Sequence, residues 1–109
     1  MSSRWIEFAK KNLEPGDDVE KSYSGYCDRK YGYLLISKKR LLFVSEEGLF
    51  SKKYNLVFSI PYEKLKTDSK RDHELEVTEV GGKRYSLVFD ISLSAVMKSI
   101  DEHISSVHS

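Results

Sequence analysis

The sequence predicts a mainly β domain: about seven short antiparallel strands, one capping helix at the C-terminal end and a short helix at the N-terminal end. Three observations predict this class. Alternating apolar residues recur in short runs from Val19 to Phe89, turn residues separate these runs, and the last apolar residues recur at three- and four-residue steps instead. Short, closely spaced strands favour an antiparallel meander over parallel βαβ units.

The length and composition fit one folded domain. We expect it to span 1–109, with a helical extension over 1–14, strands over 19–90 and a capping helix over 91–106. Apolar residues make up 39% of the chain and charged residues 32%, enough for a modest core beneath a solvated surface. Eighteen basic and 17 acidic side chains leave a net charge of +1. This balance argues against bulk electrostatic binding of nucleic acid, so no nucleic-acid partner is expected.

The single cysteine and the N-terminal sequence bear on localisation. Cys27 has no second cysteine to pair with, which suits a reducing compartment. The charged N-terminus is not typical of a secretory signal, and no apolar run approaches the roughly 20 residues of a membrane span. We therefore expect a soluble, cytoplasmic protein, for which any membrane contact is peripheral.

The first predicted element is a short helix within "SSRWIEFAKKNL". Its apolar face consists of Trp5, Ile6, Ala9 and Leu13. Ser2 or Ser3 can cap its start, and Pro15-Gly16 ends it. We expect it to pack on the domain edge. An amphipathic helix on a membrane surface is the alternative, which the short length and narrow apolar face disfavour.

The strands follow in seven alternating runs. These runs are 19–27, 31–37, 40–46, 54–60, 65–70, 74–80 and 83–89. In the first run, Val19 and Tyr23 are predicted on the same side. Gly81-Gly82 predicts a hairpin turn, because glycine adopts positive φ at little cost. In the fourth run, simple alternation places four apolar residues on one face: Tyr54, Leu56, Phe58 and Ile60.

The chain ends in an amphipathic helix predicted from about residue 92 to 106. Its apolar residues are Leu93, Val96, Met97, Ile100, Ile104 and Val107. Asp90 or Ser92 can cap its start. At 1.5 Å per residue, the helix is roughly 20 Å long. Its apolar face must be buried, and we expect it to cover an open edge or mouth of the preceding strands.

The stretch "FSIPYEKL", residues 58–65, predicts a corner. Pro61 has no backbone N–H, so it ends strand pairing. The following "YEKL" can form one helical turn that buries Tyr62 or Leu65. We therefore expect the chain to pass here from a first sheet to a second one.

Several short motifs together resemble a known family. They are "LEPGDDV" from Leu13, "GYL" from Gly32, "RLLF" from Arg40 and "FSIPY" from Phe58, with Ser37 at a strand end. This set resembles the core of a GRAM domain or of the bacterial and archaeal pleckstrin-homology-like (PH-like) families. The resemblance implies a PH-like, partly open barrel. Members of this superfold bind lipids, peptides or partner domains on one scaffold.

The resemblance also implies where a ligand would bind. In the lipid-binding members, the loops after the first, third and sixth strands gather around an anionic ligand. Each corresponding loop here carries a basic pair, giving the candidate binding residues Arg29, Lys30, Lys52, Lys53, Lys83 and Arg84. Clustered Lys and Arg donors suit a phosphorylated head group or an anionic bilayer. The alternative is solvated turn residues, whose field is diluted by carboxylates such as Glu46 and Glu79.

No catalytic residue, metal site or cofactor is predicted. The chain has no glycine-rich phosphate loop. His103 and His108 are five residues apart, off the spacing that places two ligands on one helix face, and His73 lies far from both in sequence. Basic neighbours could activate Cys27, but an ordinary strand-end cysteine is favoured.

The sequence therefore favours a non-enzymatic interaction module. We expect its ligand to be a protein partner or a second copy of the chain, with contact by strand addition at an exposed sheet edge. The alternative is peripheral binding of an anionic membrane lipid, or of a phosphoinositide-like head group, through the basic loops.

Overall fold

The computed structural model describes residues 4–71, 73–91 and 93–108, and within these it contains seven strands and two α-helices. The elements are α1 (Arg4–Lys10), β1 (Val19–Cys27), β2 (Lys30–Ser37), β3 (Arg40–Glu47), β4 (Lys53–Pro61), β5 (Leu65–Arg71), β6 (Glu74–Glu79), β7 (Arg84–Phe89) and α2 (Leu93–His108). The predicted mainly β class is confirmed. The predicted helix caps Ser2, Ser3 and Ser92 lie outside the described residues.

The strands form one antiparallel sheet in the order β4-β3-β2-β1-β7-β6-β5. β1 pairs with β2 along most of its length, but with β7 only where Gly25–Cys27 faces Leu87–Phe89. The sheet curls so that its two halves enclose a shared core. The rings of Phe58 on β4 and Tyr85 on β7 lie 4.8 Å apart, although three other strands lie between β4 and β7 in the sheet order. The result is a partly open barrel.

The main core fills the inside of this barrel. It contains side chains from the strands and from α2, among them Leu34, Phe43, Leu75 and Leu87. Leu93, Val96 and Ile100 are the fully or nearly fully buried members that α2 contributes. The predicted role of α2 as a capping helix is therefore confirmed. Packing of its apolar face against the core stabilises the helix.

A second apolar cluster lies on the outer face of the strands. α1 packs there through Ala9, which is fully buried against a cluster that includes Leu35, Leu42 and Val44. Trp5 stacks on Tyr33 with ring centroids 4.1 Å apart. α1 thus covers a sheet face, not the domain edge that the sequence suggested. Its partner face is apolar because β2 and β3 are buried on both sides, so their residues do not alternate cleanly.

Two irregularities in strand pairing change which side chains face the core. On β4, Phe58 pairs with Phe43 while Leu56 pairs with Val44, so Val57 is an extra residue. A bulge of this kind shifts the alternation by one position. Phe58 and Ile60 therefore face inward, but Tyr54 and Leu56 face outward. The prediction that these four residues share one face is wrong.

The second irregularity lies on β1, between Val19 and Lys21. Val19 packs with the outer cluster and Tyr23 with the inner core. Their predicted placement on one side is also wrong, because Glu20 is the additional residue that shifts the alternation.

The corner at Pro61 is present, but the predicted passage from a first sheet to a second one is wrong, because β4 and β5 are the two edge strands of a single sheet. Pro61 is the last β4 residue in the ladder, opposite Arg40, and a single 3-10 turn over Tyr62–Lys64 follows before β5 begins. Tyr62 is fully buried, and its hydroxyl donates a 2.7 Å hydrogen bond to the carbonyl oxygen of Ser37. Leu65 is buried as well. The turn is thus fixed to the end of β2 as well as to the core.

Candidate functional site

The first and third basic loops lie side by side. In the turn between β1 and β2, Asp28 and Arg29 both have positive φ, at 49° and 74°. This two-residue turn is fixed to β7, because the Asp28 N–H donates to the Ser86 carbonyl at 2.9 Å and the Ser86 N–H donates to Asp28 Oδ1 at 3.1 Å. Ser86 lies two residues after Arg84, the first residue of β7. Arg29 and Lys30 therefore lie beside the start of β7.

The second basic loop reaches the same end of the barrel through the sheet register. Lys53 on β4 pairs with Glu47 on β3. β3 and β2 pair at Ser45 and Gly32, so continuing their register by two residues places Glu47 opposite Lys30. Adjacent strands lie about 4.8 Å apart, so the backbones of Lys30 and Lys53 are separated by roughly 10 Å. We call the end formed by residues 28–30, 48–53 and 80–84 the basic end.

Strand alternation separates the six predicted binding residues into two faces. Lys30 shares the inward face of β2 with Gly32 and Leu34, and Lys53 lies opposite Glu47 on the corresponding face. Lys83, two residues before the core residue Tyr85, is placed inward by the same alternation. Arg29 lies at the exposed tip of its turn.

The other two predicted residues lie on the outer face, and each is paired with a carboxylate. Lys52 Nζ lies 3.6 Å from Glu46 Oε1. Arg84 Nε lies 3.6 Å from Glu76 Oε1. Exposed pairs of this kind are worth little for stability, but each offsets one positive charge. The structure thus brings all three loops to one end without aiming all six side chains at one point.

Carboxylates lie within the basic end and directly beside it. Of the charged residues not in the two outer pairs, Arg29, Lys30, Lys53 and Lys83 are positive, while Asp28, Glu47 and Glu79 are negative. The local excess is therefore about one positive charge. Ligand binding by the six basic residues stays a prediction. With so small an excess of positive charge, electrostatic attraction alone would bind an anionic ligand only weakly.

The sequence reasoning missed an exposed apolar pair in the same region. Leu49 is 89% exposed and Phe50 is fully exposed, side by side at the tip of the β3–β4 loop. Gly48 has a φ of 103°, and a Cβ there would lie 2.2 Å from the Ser51 carbonyl oxygen, so only glycine fits this tight turn. The signal was available, because "GLFSKK" places two large apolar residues between a turn glycine and a basic pair.

A second exposed apolar feature lies on the outer face near the basic end. Tyr26 pairs with Val88 on one side and Tyr31 on the other, and all three residues are 38–44% exposed. The rings of Tyr26 and Tyr31 meet edge to face, with centroids 5.4 Å apart. Tyrosine combines an apolar ring with a polar tip, so this row is suited to a surface that is partly apolar and partly wet.

The structure also describes the environment of Cys27 and of the potential metal-ligating side chains among the described residues. Cys27 is fully buried, and burial, followed by the charge of Asp28, raises the pKa of its thiol to about 12. The basic neighbours therefore do not activate it. Within the described part of the chain, no group of three His, Cys, Asp or Glu residues could hold a metal ion, and no helix is both long and apolar enough to cross a membrane.

Solved structures of similar shape establish the fold. A pleckstrin homology domain from Shewanella amazonensis SB2B superposes with a TM-score of 0.60 at 16% identity, covering 91% of this chain and 94% of that one. The chain has a PH-like fold. A DUF1696 family protein with a pleckstrin homology domain, from Shewanella loihica PV-4, gives a TM-score of 0.53 at 17% identity, with 94% of each chain covered.

A third similar structure is the C-terminal domain of an unknown protein from Leishmania infantum, with a TM-score of 0.58, 23% identity, and 87% of this chain and 97% of that one covered. No protein-family model matches the chain, and no curated protein matches it either. At these identities the likeness shows the PH-like fold alone.

Proposed function

We propose that this PH-like domain is a non-enzymatic, cytoplasmic interaction module of the GRAM type that docks reversibly on anionic membrane surfaces through its basic end. The observation that carries the proposal is the exposed pair Leu49 and Phe50 at a loop tip, directly before Lys52 and Lys53. An apolar tip beside cations matches a bilayer, where acyl chains lie beneath charged head groups.

The apolar pair supplies most of the expected binding free energy. Complete burial of a Leu or Phe side chain is worth about 1.5–3 kcal/mol, so insertion of both gives roughly 3–6 kcal/mol. A single acyl anchor gives only marginal, reversible membrane binding, and this pair is in the same range. Docking should therefore be reversible.

The inward-facing cations at the basic end would contact the head groups. Lys30 and Lys53 lie in one row across the sheet, and Lys83 is placed on the inward face of the neighbouring loop. Each basic residue near an anionic surface contributes about 1 kcal/mol, and the carboxylates at the same end reduce the sum. We assign Lys52 and Arg84 a smaller role, because Glu46 and Glu76 already pair with them.

Vesicle co-sedimentation tests this function. The wild-type protein should bind vesicles of mixed phosphatidylcholine and phosphatidylserine, and Leu49→Ser with Phe50→Ser should weaken binding at least about tenfold. The matched control is Ile91→Ser, which also removes an exposed apolar side chain but follows the far end of β7. This control should bind like the wild type.

A second pair of variants isolates the charge contribution. Lys30→Gln with Lys53→Gln should weaken binding more than Lys38→Gln with Lys39→Gln, which removes the same charge from the β2–β3 turn at the other end. Equal losses would show that overall charge, and not the basic end, attracts the vesicles. Absence of wild-type binding even at low salt would exclude the membrane function.

A protein partner or a second copy of the chain is the second candidate function. β5 ends the sheet, and its residues Lys66, Asp68 and Lys70 are exposed, so an added strand could pair with its free edge. Light scattering over a range of concentrations tests self-association. A mass that rises toward two chains, and falls back in Lys66→Glu with Lys70→Glu, would support it, whereas the mass of one chain at every concentration would exclude it.

A further inference from the structure

His103 lies at the contact between α2 and the barrel, away from the basic end. Its side chain is only 17% exposed. The imidazole ring packs on the ring of the fully buried Tyr62, with centroids 5.3 Å apart. Tyr62 belongs to the corner turn after Pro61, so His103 joins the second half of the helix to that turn.

Both ring nitrogens of His103 face oxygen acceptors. Nδ1 lies 2.7 Å from the carbonyl oxygen of Ser99, and Nε2 lies 2.5 Å from Oε1 of Glu20. A neutral imidazole has one N–H and one lone pair. When Glu20 is ionised, both oxygens are acceptors. Either neutral tautomer of His103 then directs its nitrogen lone pair at one of these oxygens, which has no proton to donate. The contacts are satisfied only when the pair holds one additional proton, on His103 or shared with Glu20.

The fold positions Glu20 for this contact. Glu20 is the additional residue in the β1 irregularity between Val19 and Lys21. Bulges often redirect a side chain, and here the carboxylate reaches across to α2, 83 positions along the chain. The same helix turn is fixed to β1 a second time through Ser99, whose hydroxyl lies 3.1 Å from Tyr23 Oη and 3.2 Å from Lys21 Nζ.

Charged groups from each neighbouring element surround His103. Glu20, Lys38 and Glu102 line a cavity of about 230 Å³ together with the imidazole, and Lys21 Nζ contacts the nearby Ser99 hydroxyl. Burial lowers the pKa of His103. The hydrogen bonds to Glu20 and Ser99 and the charges of Glu20 and Glu102 raise it by more, so the pKa is above the usual 6.5.

We propose that His103 and Glu20 form a proton-dependent latch that holds the second half of α2 on the barrel. A pKa that is raised by folding gives stability that is complete below the unfolded value of 6.5 and is lost as pH rises through the folded value. The latch is therefore closed below the His103 midpoint and opens as the pH rises above it. Opening would expose the helix face that covers Tyr62.

An NMR titration of the His103 ring tests the latch directly. In the wild type the midpoint should lie above 6.5, and in Glu20→Gln it should fall, because the carboxylate that favours the charged ring is gone. Glu102→Gln is the matched control. It removes an equal charge from the same surroundings without removing the contact with Nε2, so its midpoint should fall by less. Equal midpoints in the wild type and Glu20→Gln would overturn the proposal.

Amide hydrogen exchange shows whether the proton holds the helix. After correction for intrinsic rates, wild-type amides from Ile100 to Ser105 should exchange about tenfold faster above the His103 midpoint than below it, as expected for the loss of one charge-assisted hydrogen bond. In Glu20→Gln this step should be absent. A wild-type helix with no such step would overturn the latch even if His103 titrates as expected. A Glu20→Gln chain whose amide spectrum shows that it is unfolded would be replaced by His103→Gln, which should also remove the step.

Discussion

At the scale of single residues, Gly32 shows how close backbone approach constrains the fold. A Cβ at this position would lie 2.1 Å from the Val44 carbonyl oxygen and 2.8 Å from the Ser45 Cα, both backbone atoms that cannot rotate away. We expect Gly32→Ala to lower the free energy of unfolding by about 1–3 kcal/mol, as overpacking typically does. Urea unfolding followed by circular dichroism measures the change.

Gly82→Ala is the matched control for this prediction. Its added Cβ would meet only the flexible side chain of Glu79, at 3.3 Å or more, so stability should change by less than about 0.5 kcal/mol. If both variants lost the same stability, helix or strand propensity and not the contact with β3 would explain the effect at Gly32.

Cys27 provides a second prediction at this scale. Its thiol is fully buried, and burial raises its pKa to about 12. Because the thiolate is the reactive form, the native protein should react with a thiol reagent at pH 8 far more slowly than the same protein in denaturant. Ellman's reagent measures both rates. Rapid labelling of the native chain would show that the β1–β2 end of the sheet opens readily.

At the scale of elements, the corner turn after Pro61 connects three parts of the fold. The Tyr62 hydroxyl donates to the Ser37 carbonyl at 2.7 Å, and the Tyr62 N–H donates to the Lys39 carbonyl at 3.3 Å. Tyr62→Phe removes only the buried hydroxyl bond, so it should lower the free energy of unfolding by about 1 kcal/mol or more. Thermal and urea unfolding test this.

Tyr23→Phe serves as the comparison for Tyr62→Phe. The Tyr23 hydroxyl contacts Ser99 Oγ in a partly buried place, where water can replace the lost partner, so the loss of stability should be smaller. A larger loss for Tyr23→Phe would mean that the Ser99 contact, and not the corner, is the stronger connection.

The sequence predicted the elements well because their signals are local. Alternation indicated seven strands, the three- and four-residue period indicated α2, and Pro61 indicated the corner. The two β irregularities were not predictable in this way. The sequence of β4 alternates regularly on both sides of Val57, so the pattern gives no sign that Val57 is an extra residue. Only the pairing of Leu56 with Val44 shows that the apolar residues before Val57 face outward. The packing of α1 was not predictable from alternation either, because it depends on β2 and β3 being buried on both of their faces.

The position of the three basic loops was predictable, but the direction of their side chains was not. The resemblance indicated that three basic loops share one end, and the register places them there. Which side chain of each pair faces inward depends on partners from other strands, such as Glu46 for Lys52 and Glu76 for Arg84. The Leu49-Phe50 tip was visible in the sequence, but its exposure depends on how the short loop after Gly48 turns.

At the scale of the whole molecule, the near-balance of charge determines how membrane docking should respond to salt. The chain carries a net charge of +1, and the unpaired charges of the basic end sum to a similar excess. At about 1 kcal/mol for each net charge near an anionic surface, screening should weaken vesicle binding by only about fivefold between low and high salt. Replacing Leu49 and Phe50 should weaken binding by more at either salt concentration, because burial of apolar surface is not screened. Co-sedimentation at both salt concentrations, with wild type and the Leu49→Ser, Phe50→Ser variant, separates the two contributions. A wild-type affinity that falls by orders of magnitude with salt would mean that the basic loops, and not the apolar tip, dominate docking.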